Sequence, residues 1–226
     1  ETLKEDRIIL AGIPAASNHN GGRIRFGPDD LLYAATGDAG NEKLAQDKNS
    51  LAGKILRMKD DGSIPADNPF GTLVYSYGHR NPQGLVWDSE GALWSTEHGP
   101  SGIPSGMDEI NVIENGKNYG WPEIMGYQTK AGMETPIIQS GSSDTWAPAG
   151  IAYYQGKIYF GGLRGEAIYE YNIQSGLLTE HFKGESGRIR AVDEKDGVLY
   201  ITTSNQDGRG KPRNGDDKLL SIKLPL

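Results

Sequence analysis

Residues 27–36 read GPDDLLYAAT, a tight turn from Gly27 to Asp30 that leads into an apolar run ending on a threonine. The same order, a turn, then Leu and an aromatic residue, then Thr, recurs in DSEGALWST at 88–96 and in EKDGVLYIT at 194–202. A shortened form, QGKIYF, stands at 155–160. Short runs rich in β-branched and aromatic residues between Gly, Asp and Pro are typical of strands joined by turns. The stretch therefore predicts a repeating unit of β-strands.

The repeat decides the fold class. Twelve short β-rich runs follow one another, at 23–26, 31–36, 54–58, 84–87, 92–96, 109–113, 151–154, 157–160, 167–171, 189–192, 198–202 and 218–222. They form four units, which begin near Gly22, Gly84, Gly150 and Arg188. Units of several strands that cannot bury their faces alone indicate a β-propeller, and a sandwich of the same strands is the alternative. We expect an all-β chain, 1–226, that is one partial propeller domain of about four blades.

The two ends of the repeat differ from its middle. The run Arg7–Ala11 predicts a lone strand before the first unit, and the last unit has no clear outer strand. A terminal strand often completes the final blade of a propeller and so removes an exposed edge. We therefore expect residues 3–11 either to close the ring or to belong to a preceding blade that is missing from this chain.

Composition excludes several classes of protein. The 23 basic residues against 30 acidic ones give a net charge of −7, which argues against binding to nucleic acid or to anionic membranes. The absence of cysteine excludes thiol catalysis and Cys-ligated zinc or iron–sulfur sites, and it suits an oxidising compartment. No apolar run approaches the roughly 20 residues of a membrane span. The acidic start, residues 1–6, shows no signal peptide, so a secreted form is expected to have been trimmed.

Two polar loops could carry chemistry. His19 stands in a glycine-flanked loop before a predicted strand, where it is either a surface residue or a general base, because an imidazole titrates near neutrality. Arg80, Asn81 and Gln83 lie together between two predicted strands. Their guanidinium and amide groups suit a ligand rich in carboxylates or carbonyls, and a hydrogen-bonded turn between blades is the alternative.

Two further segments suggest a metal ion and an anion. The Gly99-Pro100 turn exposes carbonyls, and Asp108 and Glu109 follow it; such hard oxygen ligands suit calcium or magnesium and not zinc. Arg188 and Arg190 stand two residues apart, so on a regular strand they would point to one face. Two cations on one face indicate a bound anion, and a solvated edge is the alternative. The loop 205–217 is turn-rich and mixed in charge, which predicts an exposed loop.

These segments, in this order, resemble the soluble pyrroloquinoline quinone (PQQ) dependent aldose sugar dehydrogenases of the glucose/sorbosone dehydrogenase family. The resemblance runs through almost the whole chain. It rests on HNGGR (19–23), GPD (27–29), GKILR (53–57), DGSIPADNP (61–69), GHRNPQG (78–84), EHGP (97–100), DEIN (108–111), NYGWP (118–122), LRG (163–165) and RIR (188–190). It implies a six-bladed propeller with PQQ in a cleft on its top face.

The resemblance also implies roles for individual residues. His19, with Asn18 beside it, would take the proton of the anomeric hydroxyl while hydride passes from the sugar C1 to PQQ, giving a lactone. Arg80 would contact PQQ and polarise its carbonyl, and Asn81 and Gln83 would also contact the cofactor. The PQQ carboxylates would be held by Thr145, Arg164, Arg188 and Arg190. The carbonyls of Gly99 and Pro100 would bind the Ca²⁺ that anchors PQQ, and Glu109 and Tyr119 match a second, structural calcium site.

The chain departs from the family in two respects. It lacks about the N-terminal third, and it carries His98 in the Gly-Pro turn with a Ser/Gly insertion from Ser101 to Gly106 after it. Two other hypotheses therefore stay open: a non-catalytic propeller or inactive fragment that binds a partner, and a sugar hydrolase or lactonase that binds calcium without PQQ. We expect an aldose substrate, an artificial or respiratory electron acceptor, no nucleic acid partner, no membrane span, and a periplasmic or extracellular location.

Overall fold

The computed structural model describes residues 7–102 and 105–226, and it is built from antiparallel sheets of consecutive strands. The first sheet holds β1 (Ile24–Phe26), β2 (Leu32–Thr36), β3 (Lys54–Met58) and β4 (Val74–Tyr77). The second holds β5 (Pro82–Trp87), β6 (Leu93–Glu97), β7 (Glu109–Ile113) and β8 (Ile138–Gln139). The third holds β9 (Pro148–Tyr154), β10 (Lys157–Gly162), β11 (Ile168–Asn172) and β12 (Leu178–His181), and the fourth β13 (Ile189–Lys195), β14 (Val198–Thr203) and β15 (Leu219–Lys223).

The architecture confirms the all-β expectation of a partial propeller with about four blades. One short helix, α1 (Lys43–Gln46), lies between β2 and β3. Each of the twelve runs named from the sequence overlaps a strand of the structure. The outermost strands of the first three sheets, β4, β8 and β12, are not among the twelve. Within the described ranges, no helix is both long and apolar enough to cross a bilayer.

The predicted strand over residues 7–11 is wrong, and so is the version in which it closes the ring; membership of a preceding blade missing from this chain stays a prediction. Residues 7–11 form no strand and join none of the sheets. Arg7 instead donates a hydrogen bond to the carbonyl of Asp60, and Leu10 packs on the apolar cluster of the first sheet. Ile8 remains exposed, because no sheet face covers it. The rest of the predicted segment, residues 3–6, lies outside the described residues.

The core lies between successive sheets. Ile55 and Leu85 pack between the first and second sheets, and Ile110 and Phe160 pack between the second and third. A third cluster, which includes Leu199, joins the third and fourth sheets. Burying one such aliphatic or aromatic side chain contributes about 1.5–3 kcal/mol. Face-to-face burial between neighbouring sheets is what holds the blades side by side.

The first strand of each sheet lies nearest the middle of the molecule. Strands β1, β5, β9 and β13 line one channel of about 410 Å³, together with the turn after β1. Arg25 on β1 and Asp193 on β13 form an ion pair of 2.8 Å within this region, which links the first sheet to the fourth. The four sheets are therefore arranged around a common centre.

Candidate active site

The residues with predicted roles come together in one cleft of about 580 Å³, a volume usual for small-molecule sites. The cleft is lined by the predicted cofactor and base residues and by the predicted metal turn: Asn18, His19, Arg80, Asn81, Gln83, Gly99, Pro100, Thr145, Arg164, Arg188 and Arg190. Glu109 and Tyr119, which were predicted for a second calcium site, do not line it. They line a smaller cavity beside it.

The strand order explains why these distant segments meet. The first two strands of every sheet are antiparallel, so the segment before the first strand and the segment after the second lie at the same end. The cleft residues occupy these positions in all four sheets: His19 and Asp38, Arg80 and His98, Thr145 and Arg164, Arg188 and Arg209. The cleft is therefore a property of the repeat, built at one end of the sheets.

Irregular strand pairing aims two side chains into the cleft. The register shifts between Pro82 and Gly84 on β5, and again between Ile189 and Ala191 on β13, so Gln83 and Arg190 each stand unpaired in a bulge. Their side chains meet at 3.4 Å, Arg190 Nη1 to Gln83 Oε1. Bulges re-aim side chains in this way near active sites. Arg188 and Arg190 thus share the cleft, but through a bulge and not through the regular strand that the sequence suggested.

His19 is held by a carboxylate that the sequence analysis did not single out. Its Nδ1 lies 2.8 Å from Oδ1 of Asp38, which follows β2. Among the described residues no group bonds to Nε2 of His19, and the side chain is 17% exposed on the cleft. The backbone of His19 has φ 53°, and a Cβ on Gly37 would stand 2.0 Å from its carbonyl oxygen, so only glycine fits there. The loop that carries His19 thus packs closely against the end of β2.

Asp38 is buried, and its carboxylate accepts several hydrogen bonds. The backbone N–H of Gly40 donates to Oδ1 at 2.8 Å, and the indole N–H of Trp121 donates to Oδ2 at 2.9 Å. Burial alone would raise the pKa of the Asp38 carboxyl, but the hydrogen bonds from His19, Gly40 and Trp121 outweigh burial and lower that pKa. With Asp38 ionised, the network assigns the proton of neutral His19 to Nδ1 and leaves the lone pair on Nε2.

Arg80 is nearly buried beside this pair, and its carbonyl accepts a hydrogen bond of 2.8 Å from the backbone N–H of Asp38. Its Nη1 donates to the carbonyl of His98 at 3.2 Å, and its guanidinium carbon lies 5.2 Å from the centre of the Trp121 ring. Its Nε is buried with no hydrogen-bond partner among the described residues. Burial lowers the pKa of the Arg80 guanidinium, although nearby carboxylates act in the opposite direction. A buried donor without a partner is costly, which fits a ligand atom at this place.

The backbone of the Arg80 loop is fixed by Glu97 on β6. Oε1 of Glu97 accepts hydrogen bonds from the backbone N–H groups of Arg80 and Asn81. Its Oε2 lies 2.9 Å from Nδ1 of His79, whose Nε2 lies 2.8 Å from the hydroxyl of Ser76. Both oxygens of Glu97 and both ring nitrogens of His79 are thus hydrogen-bonded, and this network positions the loop that carries Arg80.

Arg188 is largely committed to partners within the protein. Its Nη2 donates to Asp207 at 2.8 Å, and its Nη1 donates to the carbonyl of Leu163 at 3.0 Å. Burial would raise the pKa of Asp207, but bonds from Arg188 and from the backbone N–H of Arg209 outweigh it and lower that pKa to about 2. Arg190 lies 3.8 Å from the same carboxylate. Arg188 is therefore partly neutralised, whereas Arg190 is only weakly paired.

Asp108 ties the metal turn to the loop before β9. Its Oδ1 accepts the backbone N–H of Gly99, and its Oδ2 accepts the backbone N–H groups of Trp146 and Ala147. The hydroxyl of Thr145 also donates to Oδ2, at 2.9 Å, so its hydrogen is in use in this structure. One buried carboxylate thus sets the positions of two segments of the cleft wall.

The four predicted metal-site residues line one cavity of about 10 Å³, room for a single water-sized species. No described residue donates a hydrogen bond to the carbonyls of Gly99 and Pro100. Burial, and next the neighbouring carboxylate of Glu97, raise the pKa of Glu109 to about 8. The hydroxyl of Tyr119 is engaged with Val112 and Glu114, so only its carbonyl is free to face a cation. In ranges 7–102 and 105–226, no three His, Asp or Glu side chains are grouped as metal ligands.

Three residues at the site were not singled out from the sequence. Asp38 stands in Gly-Asp-Ala-Gly, which reads as an ordinary turn. Trp121 belongs to the NYGWP motif, which was noted without a role for its tryptophan. Arg209 lines the cleft from the loop 205–217, which the sequence analysis predicted to be exposed. The side chain of Arg209 is indeed exposed, but it faces the cleft.

Comparison with known proteins gives one consistent result. The family model of glucose/sorbosone dehydrogenases matches residues 1–214. The chain is 34% identical to aldose sugar dehydrogenase YliI of Escherichia coli (strain K12) over 245 aligned residues, which cover 92% of this chain. It is 39% identical to quinoprotein glucose dehydrogenase B of Acinetobacter calcoaceticus, over 58% of this chain and 32% of that protein. The PQQ-bound aldose sugar dehydrogenase of Streptomyces coelicolor superposes with a TM-score of 0.88 at 45% identity, over 94% of this chain.

These relatives are longer proteins. The chain spans 64% of the E. coli enzyme and 64% of the S. coelicolor enzyme. The matched residues 1–214 include the strands β1 to β14 and the segments that line the cleft. The chain belongs to the glucose/sorbosone dehydrogenase family.

Proposed function

We propose that this chain carries the active site of a PQQ-dependent enzyme that oxidises the anomeric hydroxyl of aldose sugars to lactones, with His19 as general base. One observation carries the proposal. His19 is fixed at Nδ1 by Asp38 and presents Nε2 to an arginine-lined cleft, with no described protein group bonded to it. A base needs a free lone pair within reach of the proton that it accepts.

The proton step follows from the His19–Asp38 pair. Nε2 accepts the proton of the anomeric hydroxyl as the C1–H bond breaks, and the imidazolium that forms is stabilised by the ionised carboxylate. PQQ, when bound, supplies the quinone that accepts the hydride from C1. The pair therefore plays the role of a base and its orienting group, and neither residue has to change position.

The donor set of the cleft fits a polyanionic cofactor. Arg80, Arg164, Arg188 and Arg190 would face the cofactor, assisted by Asn18, Asn81, Gln83 and Thr145. Arg80 has an unpartnered Nε, and Arg164 has no partner for its side chain among the described residues. Guanidinium groups bind carboxylates through charge-assisted hydrogen bonds. Arg80 would in addition stabilise negative charge that develops on a carbonyl oxygen.

Calcium fits the carbonyl turn. Gly99 and Pro100 provide two free carbonyl oxygens, and Ca²⁺ takes six to eight oxygen ligands, so the remaining ligands would come from the cofactor and water. Glu109 and the carbonyl of Tyr119 would form the second site. A divalent cation there would offset the repulsion between the carboxylates of Glu97 and Glu109. Glu109 would then stay ionised at neutral pH.

The proposal is tested by titrating the protein with PQQ with and without Ca²⁺, followed by dye reduction with a panel of aldoses. We expect calcium-dependent PQQ binding and sugar-dependent turnover. Arg190→Ala should weaken PQQ binding by about tenfold, the usual effect of losing one charge-assisted hydrogen bond. Arg25→Ala, which removes an arginine paired with Asp193 outside the cleft, is the matched control and should leave binding unchanged.

The same titration separates the alternatives. PQQ binding without turnover would favour a non-catalytic propeller, and calcium binding without PQQ binding would favour a hydrolase or lactonase. An electron acceptor, artificial or respiratory, completes the proposed reaction. We also propose a periplasmic or extracellular location, which fractionation of cells that express the gene would test.

A further inference from the structure

Trp121 contacts both halves of the proposed machinery. It stands two residues after Tyr119 in the NYGWP motif, and no role follows for it from the family resemblance. Its indole N–H donates to Oδ2 of Asp38 at 2.9 Å, and Asp38 holds His19 through the other oxygen at 2.8 Å. The face of the same ring lies 5.2 Å from the guanidinium carbon of Arg80.

The contact with Asp38 matters because that carboxylate is buried. Asp38 is 1% exposed, so water cannot replace a lost donor. Its Oδ1 accepts from Gly40 as well as facing His19, whereas Oδ2 has Trp121 as its donor among the described residues. Without the indole N–H, the carboxylate loses the bond that fixes its rotation about the Cβ–Cγ axis. The orientation of His19 then depends on a less ordered partner.

The contact with Arg80 has a different physical basis. A guanidinium over an aromatic face is attracted by the ring quadrupole, and the attraction is stronger when water is excluded. Arg80 is buried, and its only side-chain hydrogen bond in the described part of the chain goes to the carbonyl of His98. The ring of Trp121 is therefore a main determinant of where the guanidinium lies.

Trp121 is itself fixed by its backbone. Its N–H donates to the carbonyl of Gly78 at 2.9 Å, and its carbonyl accepts a hydrogen bond of 2.7 Å from the side chain of Gln46. The Gln46 and Asn118 side-chain amides bond to each other in both directions. A ring held in this way can orient its neighbours without being reoriented by them.

We propose that Trp121 is a positioning residue for both the His19–Asp38 pair and Arg80: its indole N–H orients Asp38 and so His19, and its ring face places the Arg80 guanidinium. The proposal rests on the function proposed above. It assigns two separable roles to one side chain, one for the hydrogen-bond donor and one for the aromatic face.

Two substitutions separate the roles. Trp121→Phe keeps an aromatic face and removes the donor, so turnover should fall about tenfold while KM and PQQ affinity change less than about twofold. Trp121→Leu removes both, so it should show the same loss of turnover and in addition weaken PQQ binding at least about fivefold. The matched control is Trp94→Phe, which removes an indole bond of 2.8 Å to Asp88 in a turn of the second sheet. It should change neither quantity.

A double-variant comparison tests whether Trp121 acts through Asp38. In an Asp38→Asn background, Trp121→Phe should change turnover by less than about twofold, because interacting sites are not additive. A tenfold effect that persists in this background would contradict the proposal, because it would show that Trp121 acts by another route.

A spectroscopic measurement tests the coupling without activity. The ¹⁵N shifts of the His19 ring should report a dominant Nδ1–H tautomer in the wild type and a mixture in Trp121→Phe, with Trp94→Phe like the wild type. An unchanged tautomer in Trp121→Phe would overturn the His19 half of the proposal. This readout needs no PQQ. If the chain neither bound PQQ nor turned over, the proposed function would be contradicted, and the tautomer measurement would still test whether Trp121 orients His19.

Discussion

Two histidine–carboxylate pairs lie at the same end of the molecule and differ in how their second ring nitrogen is used. In one, His19 faces Asp38 at 2.8 Å, and its second nitrogen has no partner among the described residues. In the other, His79 faces Glu97 at 2.9 Å, and its second nitrogen is bonded to Ser76. His79 is fully buried, whereas His19 opens onto the cleft.

The difference supports the proposed role of His19 as the base and a structural role for His79. A carboxylate at Nδ1 is common to both pairs, so it does not distinguish a base from a structural residue. Both ring nitrogens of His79 are engaged, one with Glu97 and one with Ser76, so neither is free. The ring is also stacked on Tyr119, with centroids 4.8 Å apart, which restricts its movement. Of these two pairs, the one at His19 combines an orienting carboxylate with a second nitrogen that faces the cleft and has no partner among the described residues.

The largest effect on stability is expected from the closed pair. His79→Ala would leave Glu97 and Ser76 buried without this partner, so the free energy of unfolding should fall by about 3–5 kcal/mol, as when a buried pair is broken. PQQ binding should weaken as well, because Glu97 holds the backbone of Arg80. Denaturant unfolding measures the change, and a loss below about 1 kcal/mol would contradict the structural role.

The smallest effect on stability is expected from a third histidine–carboxylate pair, whose histidine lies on an outer strand. His181 on β12 lies 3.6 Å from Glu170, which also pairs with Lys157 at 2.6 Å. His181→Ala should therefore change the free energy of unfolding by less than about 1 kcal/mol and leave turnover unchanged. A loss of turnover in this variant would contradict the assignment of His181 to a structural pair outside the site, because His181 does not line the cleft.

The sequence alone predicted the strands whose composition is strongly β-like, and it missed the outermost strand of each of the first three sheets. The runs that became β2 and β3 are buried at every position, so their composition is strongly β-like. Strand β12, LTEH, is polar and partly exposed, and β8 has two residues. Such strands take their conformation from pairing with a neighbour. Local sequence therefore carries little information about them.

The residues that line the cleft stand in motifs visible in the sequence, but their long-range contacts could not be predicted from it. The resemblance to a family supplied the roles of His19 and Arg80, which stand within recognisable loops. Asp38 and Trp121 are 83 residues apart, and their hydrogen bond depends on how the first and second sheets meet. Arg209 reaches the cleft from a loop whose composition indicates only exposure. Contacts of this kind follow from the packing of blades, which no single segment encodes.

The most direct test of His19 as the general base compares His19→Ala with the wild type in PQQ titration and in sugar-dependent dye reduction. We expect turnover to fall at least about 100-fold, the usual range for loss of a general base. PQQ affinity should change less than about threefold, because His19 acts on the substrate proton and not on the cofactor carboxylates. Wild-type turnover in His19→Ala would show that His19 is not the base.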